Sequence, residues 1–151
     1  MVQDEISLKG TEQIRLARRN SILNFEELLR KCEGTWEGDS EKLPLQHQFT
    51  PGLYLRTIFL PMGTVLTGKV HKDAHPVFLH YGIIELVTEF HSPMTLEGPY
   101  FFVSQPMVKR AAVAHTDVLW TTIHANPTDT QDLEQLEREI IAQDLTEYLE
   151  Q

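Results

Sequence analysis

What most limits the fold of this chain is the stretch from about Gln46 to His124, where short apolar runs follow one another and each is cut before a helical period can develop. The runs are GLYLRTIFLP, TVLTGKVH, VFLHYG, IIELVTEF, PYFFVSQP, RAAVAH and DVLWTTIH. β-Branched and aromatic side chains suit a pleated surface, and glycine and proline punctuate turns. The spacing leaves no room for the crossover helices that parallel strands need. Antiparallel strands closing into a sandwich or small barrel are therefore expected. On this reading Tyr54, Phe59, Phe101, Phe102 and Trp120 are core, while Glu85 and Glu89 share the outer face of one strand.

Helical patterns flank the β region. The segment TEQIRLARRNSILNFEELLRKC carries Ile14, Ala17, Leu28 and Leu29 among its apolar positions. Asn24 with Glu27 three residues on resembles a capping box, which allows for two helices. EGTWEGDSEKLP then breaks the pattern. Beyond ANPTDT, Leu133, Leu136, Ile140, Leu145 and Leu149 recur at helical spacing with acids between them. The expected organisation is a helical N-terminal extension over 1–45, a β-barrel over 46–127 and an acidic C-terminal helix over 128–151. That last stripe suits the barrel or a second subunit, so a homo-oligomer is expected.

Charge and cysteine content narrow the function. The net charge of −9 is unevenly spread: residues 1–34 are balanced, residues 35–127 carry −2 and residues 128–151 carry −7. An acidic tail on a near-neutral body argues against a nucleic-acid-binding face. It also argues against a membrane-surface helix, whose polar face is usually basic. No apolar run approaches the roughly 20 residues of a membrane span, and MVQDEISLKG lacks the plan of a secretion signal, so a cytoplasmic protein is expected. Cys32 is the single cysteine. It excludes an intrachain disulfide and a cysteine-built metal site, and it reads as a small buried hydrophobe. Ser92 and Ser104 lack a nucleophile elbow, and no phosphate-cradling glycine loop occurs.

The chemistry concentrates in GKVHKDAHPVFLHYG, residues 68–82. His71, His75 and Gly82, with Gly63 ahead of them, resemble the first motif of the cupin superfamily. In that motif a histidine is followed four or five residues on by a glutamate, and a glycine comes seven after the glutamate. His75 stands at the glutamate, and Lys69 stands where the family has its earlier histidine. SQPMVKRAAVAH resembles the second motif through Pro106, but Met107 and Val108 replace its glycine and Arg110 falls at or beside the metal histidine. A guanidinium stays protonated and does not ligate metals, so the usual four-ligand set is incomplete. The resemblance implies a mainly β, cupin-like double-stranded β-helix (jelly roll) with N-terminal and C-terminal α-helices. Over roughly residues 46–140 the chain is also similar to uncharacterised cupin-like proteins of tailed bacteriophages, through GKVHK, KRA and WTTIH in order. That likeness implies a phage or prophage origin, with the protein in the host cytoplasm or in the virion.

Three functions stay open. Lys69, His71, His75 and Arg110 can form a cationic pocket for a small anionic molecule, Arg110 holding a phosphate or carboxylate bidentately with Lys69 as a point charge beside it. Such a pocket fits a phage accessory protein. Alternatively His71 and His75 with His124 make a three-histidine centre for a divalent metal (Fe, Zn, Ni or Mn) in an enzyme of dioxygenase or isomerase type; His115, Asp73 and His80 are weaker third ligands. The third is a structural role in a virion or another symmetric assembly.

Overall fold

The computed structural model describes residues 2–143, and their side chains from Thr11 onward. It is a two-sheet β fold flanked by two helices. The elements are α1 (Val2–Arg30), β1 (Leu45–Thr50), β2 (Gly52–Leu60), β3 (Val65–Thr67), β4 (His75–Tyr81), β5 (Ile83–Thr88), β6 (Met94–Glu97), β7 (Tyr100–Ser104), β8 (Arg110–Ala114), β9 (Val118–Asn126) and α2 (Leu133–Ile140). One sheet has the order β1-β2-β9-β4-β7 and the other β3-β8-β5-β6, with antiparallel pairing in both. All seven apolar runs are strands. Two further strands, β1 and β6, join them.

The barrel interior is divided along its length. At one end Leu60, Leu79, Ile84, Leu86, Ala114 and Val118 form a buried apolar cluster, backed by Ile58, Leu66 and Trp120. Each fully buried aliphatic side chain there contributes about 2 kcal/mol by leaving water. At the other end the inward positions turn polar: His75, Ser104, Thr122 and His124 lie on neighbouring strands of the five-stranded sheet. The β4–β5 turn is set by Gly82, whose φ is +98°; an added Cβ there would lie 2.2 Å from the Asp117 carbonyl oxygen. The glycine of the HYG stretch is thus required sterically.

Several expectations are corrected. α1 runs unbroken through Asn24, so the capping-box pair starts no second helix. Cys32 is exposed, just past the end of α1. Phe59 and Phe101 are exposed on the outside of the five-stranded sheet instead of lying in the core. Glu89 is fully buried: β5 ends at Thr88, so strand alternation no longer governs the next residue. Arg19 donates to Glu89 through Nε at 2.7 Å, and the Lys109 backbone N–H donates to it at 3.3 Å. This buried pair ties α1 to the barrel. The C-terminal helix ends at Ile140, and Ile141 is extended at φ −105° and ψ 133°. Leu145 and Leu149 lie outside the described residues.

Asp132 caps α2 by accepting from the backbone N–H groups of Glu134 and Gln135. Leu136, Ile140 and Ile141 then pack on Tyr54 and Phe49 at the polar end of the barrel. Beyond the helix, Ala142 N–H donates to the Val70 carbonyl at 2.9 Å and Lys72 N–H to the Ile140 carbonyl at 2.8 Å. No helix among the described residues is long and apolar enough to cross a membrane.

Candidate metal centre

His71, His75 and His124 meet at the polar end. The strand β3 stops at Thr67, so His71 lies on the connection to β4, where it bridges Ile141 and accepts from Met107 N–H at 2.8 Å through its carbonyl. His75 opens β4 opposite Ser104, and His124 lies on β9 opposite Tyr54. One ligand nitrogen from each of the three imidazoles lies within 4.8 Å of the other two. The His71 and His124 rings stack at 5.0 Å between centroids, and His75 sits 4.4 and 4.7 Å from them.

The hydrogen bonds decide which nitrogens are free. His75 Nδ1 donates to the Asp73 carbonyl at 3.0 Å, which leaves Nε2 with a lone pair. That Nε2 and His71 Nδ1 are both buried and have no hydrogen-bond partner among the described residues. His124 Nε2 lies 2.8 Å from the Thr122 hydroxyl. A backbone carbonyl or hydroxyl that fixes the far ring nitrogen is the usual support behind a metal-binding imidazole. An unpartnered buried polar atom costs about 1–3 kcal/mol, and two within one histidine cluster point to an occupant there.

Burial keeps these rings neutral. It pushes His71 down to about 2 and His124 down to about 3, with the neighbouring histidines and Arg56 adding to the effect. His75 is also lowered, by burial first and then by Arg110 and Arg56 against the pull of the Asp73 carbonyl. Neutral imidazoles need not lose a proton to ligate. A first-row ion with M–N bonds of about 2.1 Å in tetrahedral geometry sets nitrogens roughly 3.4 Å apart, a spacing within the 4.8 Å limit of the three ring nitrogens. The residues fit a divalent transition metal with three imidazole ligands and open positions.

Two arginines flank the histidines. Arg110 opens β8 and donates to the Ser104 hydroxyl at 2.6 Å; its guanidinium carbon lies 5.9 Å from the Phe102 ring centre. Arg56, on β2 two residues from Tyr54, acts electrostatically on all three histidines. Lys69 is half-exposed and ion-paired with Glu137 of α2, and Arg56 approaches the same carboxylate at 3.9 Å. Of the four residues named from the sequence as a cationic pocket, His71, His75 and Arg110 adjoin one another, with both imidazoles neutral through burial, while Lys69 lies in the cleft outside. His115 is exposed, 3.9 Å from Glu85, and His80 lies on the outer face against the Thr121 hydroxyl. Asp73 contributes its carbonyl rather than its carboxylate.

Arg56 and Tyr54 were not evident from the sequence as site residues. Both line a cleft of about 500 Å³ shared with Asp39, His47, Lys69 and Glu137. Within it Asp39 Oδ2 meets His47 Nε2 at 2.9 Å, and His47 Nδ1 meets the Tyr54 hydroxyl at 2.6 Å. Burial raises Tyr54 to about 12, so its phenol keeps its proton at neutral pH. The one available signal was the inward period of GLYLRTIFL, which puts a lone charge, Arg56, among apolar neighbours.

The facing antiparallel sheets, with the histidine cluster at one end, define a cupin-like double-stranded β-helix. Several solved structures are similar to this chain. Salicylate 1,2-dioxygenase from Pseudoaminobacter salicylatoxidans, solved with gentisate, is 17% identical, with a TM-score of 0.53 over 83% of this chain and 36% of its own. The Cnp3 cupin domain of Schizosaccharomyces pombe is 16% identical, with a TM-score of 0.48 over 69% of this chain and 76% of its own. KdgF from Halomonas sp. is 17% identical, with a TM-score of 0.48 over 64% of this chain and 93% of its own. No protein-family model matches the sequence, and no curated protein matches it.

Proposed function

We propose that this chain is a metal-dependent cupin-fold enzyme, of dioxygenase or isomerase type, acting on a small anionic molecule. The observation that carries the proposal is the pair of buried, unpartnered nitrogens, His71 Nδ1 and His75 Nε2, facing His124. A bound divalent ion supplies Lewis acidity and, if it is iron, redox chemistry. The chain's own residues do the rest. The Asp73 carbonyl and the Thr122 hydroxyl orient His75 and His124. Arg110, oriented by Ser104, and Arg56 attract a carboxylate or phosphate to the same end of the barrel. The apolar cluster around Leu60 and Leu79 keeps water out of the other end. That a neighbour of this fold is a dioxygenase is consistent with the reading, without naming the substrate. The phage origin and accessory role rest on the sequence resemblance.

Elemental mass spectrometry of tag-free protein tests this reading. About one metal per chain is expected, lost in His71→Ala, His75→Ala and His124→Ala variants that remain folded by circular dichroism. A folded wild type that takes up no zinc, iron, nickel or manganese on reconstitution overturns it.

A further inference from the structure

We propose that the outer face of the five-stranded sheet is a homodimer interface. On its strands the side chains opposite the barrel interior form an apolar layer: Phe101 is 75% exposed and Val103 58%, and Leu53 and Phe59 are also exposed. The layer is continuous, because Phe59 pairs with Leu119, Leu55 with Ile123, and Phe78 with Phe101, whose ring stacks on it at 5.9 Å. Its central hydroxyls are satisfied within the sheet: Thr57 and Thr121 bond at 2.7 Å, and His80 reaches Thr121 at 2.7 Å. Among the described residues α1 packs against β3 and β5 of the other sheet and α2 packs on the barrel end, which leaves Phe101, Val103, Leu53 and Phe59 exposed. An exposed apolar patch of this kind marks an interaction site.

The chemistry of the face selects a second copy as the occupant. The chain has 22 acidic and 13 basic residues, yet no outward position on β1, β2, β9, β4 or β7 is Asp, Glu, Lys or Arg. Two molecules that each carry −9 meet least repulsion where neither presents a charge. An acidic or basic partner finds no ion to pair with. A neutral, gently twisted sheet complements itself about a two-fold axis, and two such faces pack about 10 Å apart. Five strands about 4.8 Å apart, over roughly 20 Å of length, give on the order of 500 Å² in projection per copy. With side-chain relief this reaches the low end of stable interfaces, about 1,200 Å² in total. Gln46, Gln48 and Thr50 on β1 supply the polar rim that such interfaces carry.

Sedimentation velocity and light scattering on the full chain test the proposal, with and without EDTA so that the result is independent of any metal. The expected mass is twice 17.4 kDa. Phe101→Lys and Phe59→Lys, at opposite sides of the patch, are each expected to give the single-chain mass with unchanged circular dichroism. A wild type that stays at the single-chain mass at high micromolar concentration overturns the proposal. A truncated chain ending at Gln143 that dimerises while the full chain does not also overturns it, and assigns the face to the chain's own C-terminal residues. A dimer whose mass neither lysine alters places the interface elsewhere.

Discussion

Acid sensitivity of the metal-free protein follows from the histidine cluster and can be worked through. His71 and His124 are held at about 2 and about 3 by burial, whereas both ionise near 6.5 when unfolded. Below 6.5 the unfolded chain takes up protons that the folded chain refuses. The stability is therefore intact above pH 6.5 and falls progressively as pH drops toward the folded values. At pH 5 each residue is about 1.5 units below its unfolded pKa, which is about 2 kcal/mol each and roughly 4 kcal/mol for the pair. His75 adds to the loss in the same direction. Against a typical total of about 5–15 kcal/mol this is a large fraction. Urea denaturation in chelator at pH 7 and pH 5 measures it, with His71→Gln and His124→Gln as comparisons. Each variant should lose about 2 kcal/mol less than wild type between the two pH values, because glutamine does not titrate while the carboxylates still do. If both variants follow the wild-type pH dependence, these histidines are not buried neutral groups. At pH 7, zinc at a hundred times its dissociation constant should add about 2.7 kcal/mol to the wild type and much less to either variant.

Other consequences follow from single side chains. Glu89→Gln leaves the buried Arg19 guanidinium without its counter-charge and should cost about 3–5 kcal/mol in chemical denaturation; a loss below 1 kcal/mol refutes the anchoring of α1 by this pair. Gly82→Ala forces a Cβ against the Asp117 carbonyl at a positive φ and should cost at least about 1–3 kcal/mol, whereas an unchanged melting temperature contradicts the turn geometry. Tyr54→Phe removes the hydroxyl bonded to His47 and should cost about 1 kcal/mol. In wild type the Tyr54 phenol should stay protonated at pH 11, while the unfolded chain ionises near 10, so its contribution to stability is present below pH 10 and fades toward pH 12; phenol resonances followed by NMR check this.

Much of the strand inventory was legible because period-two alternation and turn residues are local signals. β1 lacks a strong local signal because LQHQFT holds only two apolar residues, Leu45 and Phe49, and β6 is four residues long. Asn24 looked like a helix start but lies inside α1, where the continuing backbone hydrogen bonds override the cap signal. The three histidines were legible as a candidate set from their spacing and from the WTTIH strand. Lys69 was harder to place. Alternation put it on one face with His71, yet the strand stops at Thr67 and Glu137, a residue far along the chain, takes its ammonium.

Alone, the sequence determined where seven of the strands and the two flanking helical patterns form, which side chains carry lone pairs or fixed charge, and that a single cysteine allows neither an intrachain disulfide nor a cysteine-built metal site. Each of those depends on residue type and near-neighbour spacing. Only the tertiary structure decided that Arg56 and Tyr54 adjoin His124, that Glu89 is buried under α1, and that Phe59 and Phe101 face outward. Burial and electrostatic neighbours depend on which strand pairs with which, and here strands as far apart in the chain as β2 and β9 are hydrogen-bonded side by side. The same imidazole is an ordinary titrating group in the unfolded chain and a neutral side chain inside the barrel, because sheet closure removes the water that would stabilise its charge.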